Sequence, residues 1–102
     1  MSQSLQVLYP VEKNSTFDFT YYGSAHMEIL GKTIGRHIER SLITRGLASG
    51  LDSGAGYHAV ATITFSDKTA MDAALADIGP AVADIANFYS GTPQMLIGEV
   101  IG

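Results

Sequence analysis

The fold is decided by one stretch of the chain, Tyr57-His58-Ala59-Val60-Ala61-Thr62-Ile63-Thr64-Phe65. Successive side chains of a β-strand point to opposite faces of the sheet, and this stretch has the alternation that a strand requires. One face would carry Tyr57, Ala59, Ala61, Ile63 and Phe65, and the other His58, Val60, Thr62 and Thr64. We therefore predict a strand here and place the other elements on either side of it.

Two strands and one helix are predicted before this strand. The apolar run Leu5–Tyr9 predicts the first strand. Asp18 can cap a helix over about Phe19–Lys32, because its carboxylate can accept hydrogen bonds from the backbone N–H groups of the first turn. The segment His37–Arg45 predicts a second strand, and residues 46–56 are rich in glycine and predict a flexible loop.

Two helices and a strand are predicted after it. Ser66 can cap a helix over about Asp67–Asp77. Pro80 suits the first position of a short helix over Ala81–Asn87, since proline lacks only an N–H group that has no helical partner there. The last strand would run over Gln94–Ile101 and has apolar residues on both of its faces.

The order of these elements predicts a single α+β domain over residues 1–102. A βαββαβ order is typical of a ferredoxin-like fold, in which a four-stranded antiparallel sheet carries its helices on one face. The apolar residues on both sides of the last strand indicate that the uncovered face is buried too. The simplest cover for a small domain is a second copy of itself, so we expect a homodimer in which two sheets enclose a shared interior.

Composition excludes several classes of function. The chain has 102 residues, with 10 acidic and 6 basic residues and a formal net charge of −4. This balance argues against a nucleic-acid surface. The sequence has no cysteine, which excludes disulfides, thiolate nucleophiles and Cys-based metal sites. The three histidines, His26, His37 and His58, lack the spacing of a metal-binding motif, so we expect no metal.

The sequence shows neither a membrane-spanning segment nor a secretion signal. No apolar run approaches the roughly 18 residues that a membrane span needs. The start of the chain has neither the basic region nor the apolar region of a signal peptide. We therefore expect no membrane partner and a cytoplasmic location.

His26 is the strongest candidate for a catalytic residue. It shares one face of the predicted first helix with other residues at three- and four-residue spacing, Phe19, Tyr22, Ile29, Leu30 and Thr33. Neutral imidazole can accept or donate a proton near pH 7, so His26 could shuttle a proton for an apolar substrate held between helix and sheet. The other interpretation is a buried structural histidine that is hydrogen-bonded to the backbone or to Asp84.

Four further residues are candidates for the same site. Tyr9 and Tyr22 could bind a carbonyl oxygen or stabilise an enolate by hydrogen bonding, or could simply pack their rings. Asp84 could orient His26 through one ring nitrogen, or could be a surface or capping acid. His58 could line the interior of the dimer as a substrate-binding residue, or could mark a solvated strand end.

Three short stretches resemble the EthD family, which is named for ethyl tert-butyl ether degradation. They are Val7-Leu8-Tyr9-Pro10, then Phe17-Asp18 with Tyr21-Tyr22 and His26, and last Asp84-Ile85-Ala86-Asn87-Phe88. The resemblance, with the order of the elements, spans nearly the whole chain. It implies a ferredoxin-like monomer that forms a dimeric α/β barrel, and a role in small-molecule catabolism. Proteins of this fold include cofactor-free monooxygenases, lactone isomerases, decarboxylases and polyketide cyclases.

Two functions are consistent with these observations. The first is a small enzyme without a cofactor, which acts on a hydrophobic cyclic or carbonyl-bearing metabolite by proton transfer or by oxygen addition. His26 and Asp84 would be its catalytic residues, and Tyr9, Tyr22 and His58 would bind the substrate. The second is a non-catalytic protein that binds a hydrophobic small molecule or assists an oxygenase. A polar group beside His26 in a closed cavity would favour the enzyme, and an open apolar groove would favour the binding protein.

Overall fold

The structure is a computed structural model that describes residues 1–49 and 56–102, so most of the predicted glycine-rich loop lies outside the described residues. The strands are β1 (Gln3–Pro10), β2 (Arg40–Arg45), β3 (Tyr57–Phe65) and β4 (Gln94–Glu99). The first helical segment consists of α1 (Phe19–Tyr21), a π-helical turn (Tyr22–His26), α2 (Met27–Ile34) and a 3₁₀ turn (Gly35–His37). The second consists of α3 (Lys68–Asp77), α4 (Gly79–Asp84) and a 3₁₀ turn (Ile85–Asn87).

The four strands form one antiparallel sheet in the order β2-β3-β1-β4. Alternate residues of the two central strands are buried beneath the helices: Leu5, Val7 and Tyr9 on β1, and Ala59, Ala61, Ile63 and Phe65 on β3. The predicted α+β fold with its four-stranded antiparallel sheet is therefore confirmed.

Tyr57 departs from the alternation predicted for β3. Tyr9 pairs with Ala59 but Pro10 pairs with Tyr57, which leaves His58 as an extra residue in a β-bulge. Because a bulge reverses the alternation beyond it, Tyr57 lies on the face away from the helices. Tyr57 is 38% exposed, whereas Ala59 is buried. The prediction that Tyr57 shares a face with Ala59 is wrong for this reason.

The first helical segment begins as predicted and then changes its hydrogen bonding. The Asp18 carboxylate caps it by accepting from the backbone N–H of Tyr21 at 3.0 Å. The backbone N–H of Met27 bonds to the carbonyl of Tyr22, five residues earlier, which is the pattern of a π-helical turn. The inserted residue shifts the phase of α2. Ile34 is consequently buried, while Ile29 and Thr33, which the regular spacing places on the core face, are only half-buried.

The second helical segment differs from prediction mainly in its caps. Asp67 caps α3, because its carboxylate accepts from the backbone N–H of Ala70 at 2.8 Å, and the prediction of Ser66 is wrong. Pro80 lies in the first turn of α4, as expected. The short predicted helix is α4 with the 3₁₀ turn after it, and it ends at Asn87 as expected.

The edge strand β4 is poorly covered on both faces. Met95 and Ile97 pair with Val7 and Leu5, so they point to the same side as the helices, yet they are 47% and 57% exposed. Leu96 points to the opposite side and is 56% exposed. Within one chain, the apolar residues of this strand are therefore left without cover.

Candidate active site

His26 and Asp84 come together from different helical segments. His26 ends the π-helical turn and Asp84 ends α4, and both side chains are buried. The Nδ1 atom of His26 lies 2.9 Å from Oδ2 of Asp84. The other ring nitrogen, Nε2, has no hydrogen-bond partner among residues 1–49 and 56–102. The pair thus has one occupied ring nitrogen and one available to another molecule.

The carboxylate of Asp84 is fixed by two further donors. The Tyr21 hydroxyl donates to Oδ1 at 2.6 Å and the Asn87 amide donates to the same oxygen at 2.9 Å. Burial alone raises the pKa of the Asp84 carboxyl, but the hydrogen bonds from Tyr21, Asn87 and His26 outweigh it and hold this pKa below its usual value. Asp84 is therefore ionised at neutral pH.

Tyr22 lies beside His26 and carries a hydroxyl group without a partner. The two rings stack with their centroids 5.4 Å apart. The Tyr22 hydroxyl is buried and forms no hydrogen bond within the described parts of the chain. Burial raises the pKa of Tyr22 to about 12, so the phenol stays protonated near neutral pH. A buried hydroxyl without a partner is energetically unfavourable, which makes it a natural contact for a bound polar group.

Tyr9 lies on the other side of Tyr22. The two rings meet edge to face, with centroids 5.8 Å apart. Burial, and after it the nearby Tyr22 phenol, raises the pKa of Tyr9 far above its ordinary value. Tyr9 and Tyr22 therefore provide two neutral phenols beside the His26–Asp84 pair.

These side chains line a small, mostly apolar pocket between the helices and the sheet. Its walls include Tyr9, Tyr22 and His26, with Met95 and Val82 among the remaining lining residues. Its free volume is about 20 Å³, which holds about one water molecule. Met95 and Val82 are the most exposed of its walls, so the pocket opens on the side of β4. One chain therefore supplies space for a reacting group but not for a whole metabolite.

Three residues of this site were missed by the sequence prediction. Tyr21 and Asn87 hold the carboxylate, and the ring of Phe88 packs against His26 at a centroid distance of 4.5 Å. Asn87 follows Asp84 by three residues, a spacing at which helical side chains meet, so the sequence could have indicated it. Tyr21 and Phe88 are within the stretches that resemble the EthD family, but no spacing rule connects either of them to Asp84 or His26.

His58 lies at the end of the sheet and not beside His26. Its Nε2 atom is 2.9 Å from the hydroxyl oxygen of Ser15. Its ring stacks on Phe17 and meets Tyr89 edge to face. The β-bulge accounts for this position, because it makes His58 the unpaired residue of the strand. The structure thus connects His58 to the loop before α1 and not to the pocket.

The described residues contain neither a cluster of metal ligands nor a membrane-spanning helix. Within residues 1–49 and 56–102, no cluster of three or more His, Asp or Glu side chains is arranged to bind a metal ion. No helix in these two ranges combines the length and the hydropathy of a bilayer-spanning segment.

Comparison with known proteins identifies the fold. No protein-family model and no curated protein matches the sequence. Among solved structures, an EthD-like protein from Ralstonia eutropha JMP134 has a TM-score of 0.86 and 24% identity, over 99% of this chain and 93% of that chain. An ethyl tert-butyl ether (EthD) family protein from Bacillus halodurans C-125 has a TM-score of 0.77 and 18% identity, over 99% of this chain and 100% of that chain.

Two structures with lower TM-scores share the fold; one is an oxygenase and the other is a dimer. SnoaB from Streptomyces nogalater, a cofactor-independent oxygenase, has a TM-score of 0.60 and 13% identity, over 97% of this chain and 91% of that chain. A dimeric ferredoxin-like protein from Thermobifida fusca has a TM-score of 0.58 and 14% identity, over 98% of this chain and 92% of that chain. The chain therefore has the ferredoxin-like fold of the EthD-like proteins that its three sequence stretches resemble.

Proposed function

We propose that this protein is a small enzyme without a cofactor, which acts on a hydrophobic cyclic or carbonyl-bearing metabolite by proton transfer or oxygen addition. His26 is the acid/base residue and Asp84 orients it. The observation that carries this proposal is the pairing of His26 Nδ1 with Asp84 at the wall of a pocket, with Nε2 left without a partner among the residues that the structure describes. A histidine oriented by a carboxylate is a common form of general base.

The size of the pocket indicates how a substrate would bind. A carbonyl group would enter the space beside Tyr22 and His26, while the rest of the molecule would lie over the pocket opening near Met95. Met95 and Ile97 provide an exposed apolar surface there. Burial of the substrate against this surface would supply binding free energy at about 25 cal/mol per Å² of apolar area.

A second copy of the chain would close this surface. The exposed apolar residues lie on both sides of β4, and Leu42 on the other edge strand is also exposed. Covering them would remove apolar area from water and shield the pocket opening from solvent. The fold occurs in the dimeric ferredoxin-like protein from Thermobifida fusca, which supports this assembly. We therefore place the substrate between two chains of a homodimer.

The enzymatic role is tested with His26→Asn. The amide nitrogen of asparagine can replace Nδ1 as the donor to Asp84, whereas nothing replaces Nε2. The wild type and the variant would be incubated with a panel of lactones and cyclic ketones, and products would be detected by ¹H NMR. We expect the variant to lose turnover by about 100- to 10,000-fold with a melting temperature close to that of the wild type. Thermal stabilisation of both proteins by the same compounds, with no product from either, would favour the non-catalytic binding protein instead.

The assembly is tested with Leu96→Glu, which places a charge on the exposed side of β4. Sedimentation velocity should show a dimer for the wild type and a monomer for the variant, because a buried unpaired carboxylate opposes association. Asp72→Asn, on the exposed surface of α3, is the matched control and should remain dimeric. A wild type that sediments as a monomer at micromolar concentration would contradict the proposed dimer.

A further inference from the structure

The hydrogen bonds around Asp84 determine which nitrogen of His26 carries a proton. Oδ1 of Asp84 accepts from both Tyr21 and Asn87, and Oδ2 lies against His26 Nδ1. An ionised carboxylate can only accept hydrogen bonds, so Nδ1 must be the donor. In the neutral imidazole the proton is then on Nδ1, and Nε2 has a free lone pair. His26 is therefore prepared to act as a base through Nε2.

The phenols of Tyr9 and Tyr22 act as hydrogen-bond donors, whereas His26 Nε2 is an acceptor. Tyr22 has one O–H donor and no partner for it among the described residues. It lines the same pocket as His26, and Tyr9 lines it too. Burial opposes the ionisation of both phenols, so they remain hydrogen-bond donors. The pocket is thus lined by both a base, His26, and an O–H donor, Tyr22.

We infer that the site takes ketones with a C–H bond next to the carbonyl group, and that it converts them to an enolate with His26 Nε2 as base and the Tyr22 hydroxyl as donor to the oxygen. This inference rests on the proposed function and specifies its substrate class. It also assigns Tyr21 and Asn87 as positioning residues, because they act on the substrate only through Asp84 and His26.

The proton-transfer step is balanced without any other reactant. The C–H bond next to the carbonyl breaks, and its proton moves to Nε2 of His26. The electron pair of that bond forms a C=C bond, and the π pair of the carbonyl moves to oxygen, which accepts the hydrogen bond from Tyr22. Return of the proton to the same carbon regenerates the ketone, and return to a conjugated carbon gives an isomer.

The size and polarity of the pocket fit this step. A free volume of about 20 Å³ admits a group as small as a carbonyl more readily than a larger polar group. The walls near His26 are largely aliphatic or aromatic, including Leu30, Ile85 and Met27. In such surroundings a hydrogen bond to a developing oxyanion is stronger than in water, which is the basis of oxyanion stabilisation.

Exchange of hydrogen for deuterium tests the inference directly. The probes are 2-tetralone, 2-indanone and cyclohexanone in D₂O, with loss of the α-proton signals followed by ¹H NMR. We expect the wild type to accelerate exchange of at least one ketone above the buffer rate. His26→Asn should return exchange to the buffer rate, and Tyr22→Phe should slow it about 100- to 1000-fold.

The positioning residues are tested in the same assay. Asn87→Ala and Tyr21→Phe should each lower the exchange rate, and Asn87→Asp should not restore it, because a second carboxylate cannot donate to Asp84. Both effects should appear in the rate constant at saturating ketone and not in the ketone concentration needed for half saturation. An effect on that concentration alone would contradict the positioning role.

The outcomes separate this inference from the proposed function. Failure of the wild type to accelerate exchange of all three ketones, or equal acceleration by His26→Asn, overturns the enolate inference. If the lactone panel is nevertheless turned over in a manner that depends on His26, the proposed function stands. Absence of both activities overturns both.

Discussion

Removal of the Tyr22 hydroxyl should stabilise the protein while it damages the site. Tyr22→Phe keeps the ring that stacks on His26 and contacts Tyr9. It deletes a buried hydroxyl that has no hydrogen-bond partner in the described residues. Burial of an unpaired polar group costs about 1–3 kcal/mol, so the free energy of unfolding should rise by about that amount. The melting temperature should rise by about 4–8 °C for each kcal/mol in a domain of this size.

The alkaline pH range gives a second measure of the same hydroxyl. The pKa of Tyr22 rises from 10.0 to about 12 on folding. Because ionisation of this phenol is disfavoured in the folded state, the free energy of unfolding does not depend on its titration below pH 10 and falls as the pH rises toward 12. At pH 11 the wild type should have lost about 1.4 kcal/mol from this source, and Tyr22→Phe should have lost none of it. Tyr9 is present in both proteins, and the main cause of its raised pKa, burial, is common to both; only the smaller part that the Tyr22 phenol contributes is removed in Tyr22→Phe.

The assay is urea unfolding of both proteins at pH 8 and pH 11, monitored by circular dichroism. Tyr89→Phe is the matched control, because the Tyr89 hydroxyl donates to the carbonyl of Pro10 at 2.6 Å. That variant leaves a carbonyl without its donor and should lower the free energy of unfolding by about 1–2 kcal/mol. A comparable loss in Tyr22→Phe would show that its hydroxyl is hydrogen-bonded in solution, and the reasoning that assigns it to a ligand would be refuted.

Two further predictions concern the dependence of stability on acidic pH and the packing at two glycines. The hydrogen bonds to Asp84 lower the pKa of its carboxyl, so they contribute stability above pH 3.8, its ordinary pKa, and this stability is lost as the pH falls below that value. In urea unfolding from pH 6 down to pH 2.5, Asp84→Asn should be less stable than the wild type at pH 6 and should lack this acid-dependent loss. An acid profile like that of the wild type would contradict the assignment of an ionised carboxylate. A Cβ atom at Gly91 would overlap the hydroxyl of Tyr89, so Gly91→Ala should lower the free energy of unfolding by about 1–3 kcal/mol. Gly31→Ala, in open space on α2, should raise it by about 0.5–1 kcal/mol, and a thermal melt in which both variants move in the same direction would refute the packing argument.

The elements that the sequence predicted correctly depend on local signals. The alternation in β3, the carboxylate of Asp18 before α1 and the proline at the start of α4 each act within a few residues. The order of these elements then determined the sheet, since few arrangements of two βαβ-type halves are compatible with short connections. For this reason the fold could be inferred without knowledge of any long-range contact.

The features that were missed depend on single inserted residues or on long-range contacts. The β-bulge at His58 reverses the face of Tyr57, and nothing in the alternation of the strand indicates where the bulge occurs. Asp67 and Ser66 are both good capping residues, and only the backbone geometry decides between them. The pocket volume and the contact of Tyr21 with Asp84, 63 positions apart, arise from packing that no short motif encodes.

The π-helical turn connects the fold with the site. In a regular α-helix the residue after Tyr22 that continues its face is His26, and the same row would continue to Ile29, Leu30 and Thr33. The extra residue in the turn shifts the row that follows it, so that Ile34 is buried and Ile29 and Thr33 are only half-buried, while His26 still faces Asp84. A π-helical turn has poorer hydrogen bonding than an α-helix, and such turns often occur at functional sites. Here it allows one helical segment to bury an aliphatic side chain in the core and to keep its histidine at the wall of the pocket, two demands that a regular helix meets less well.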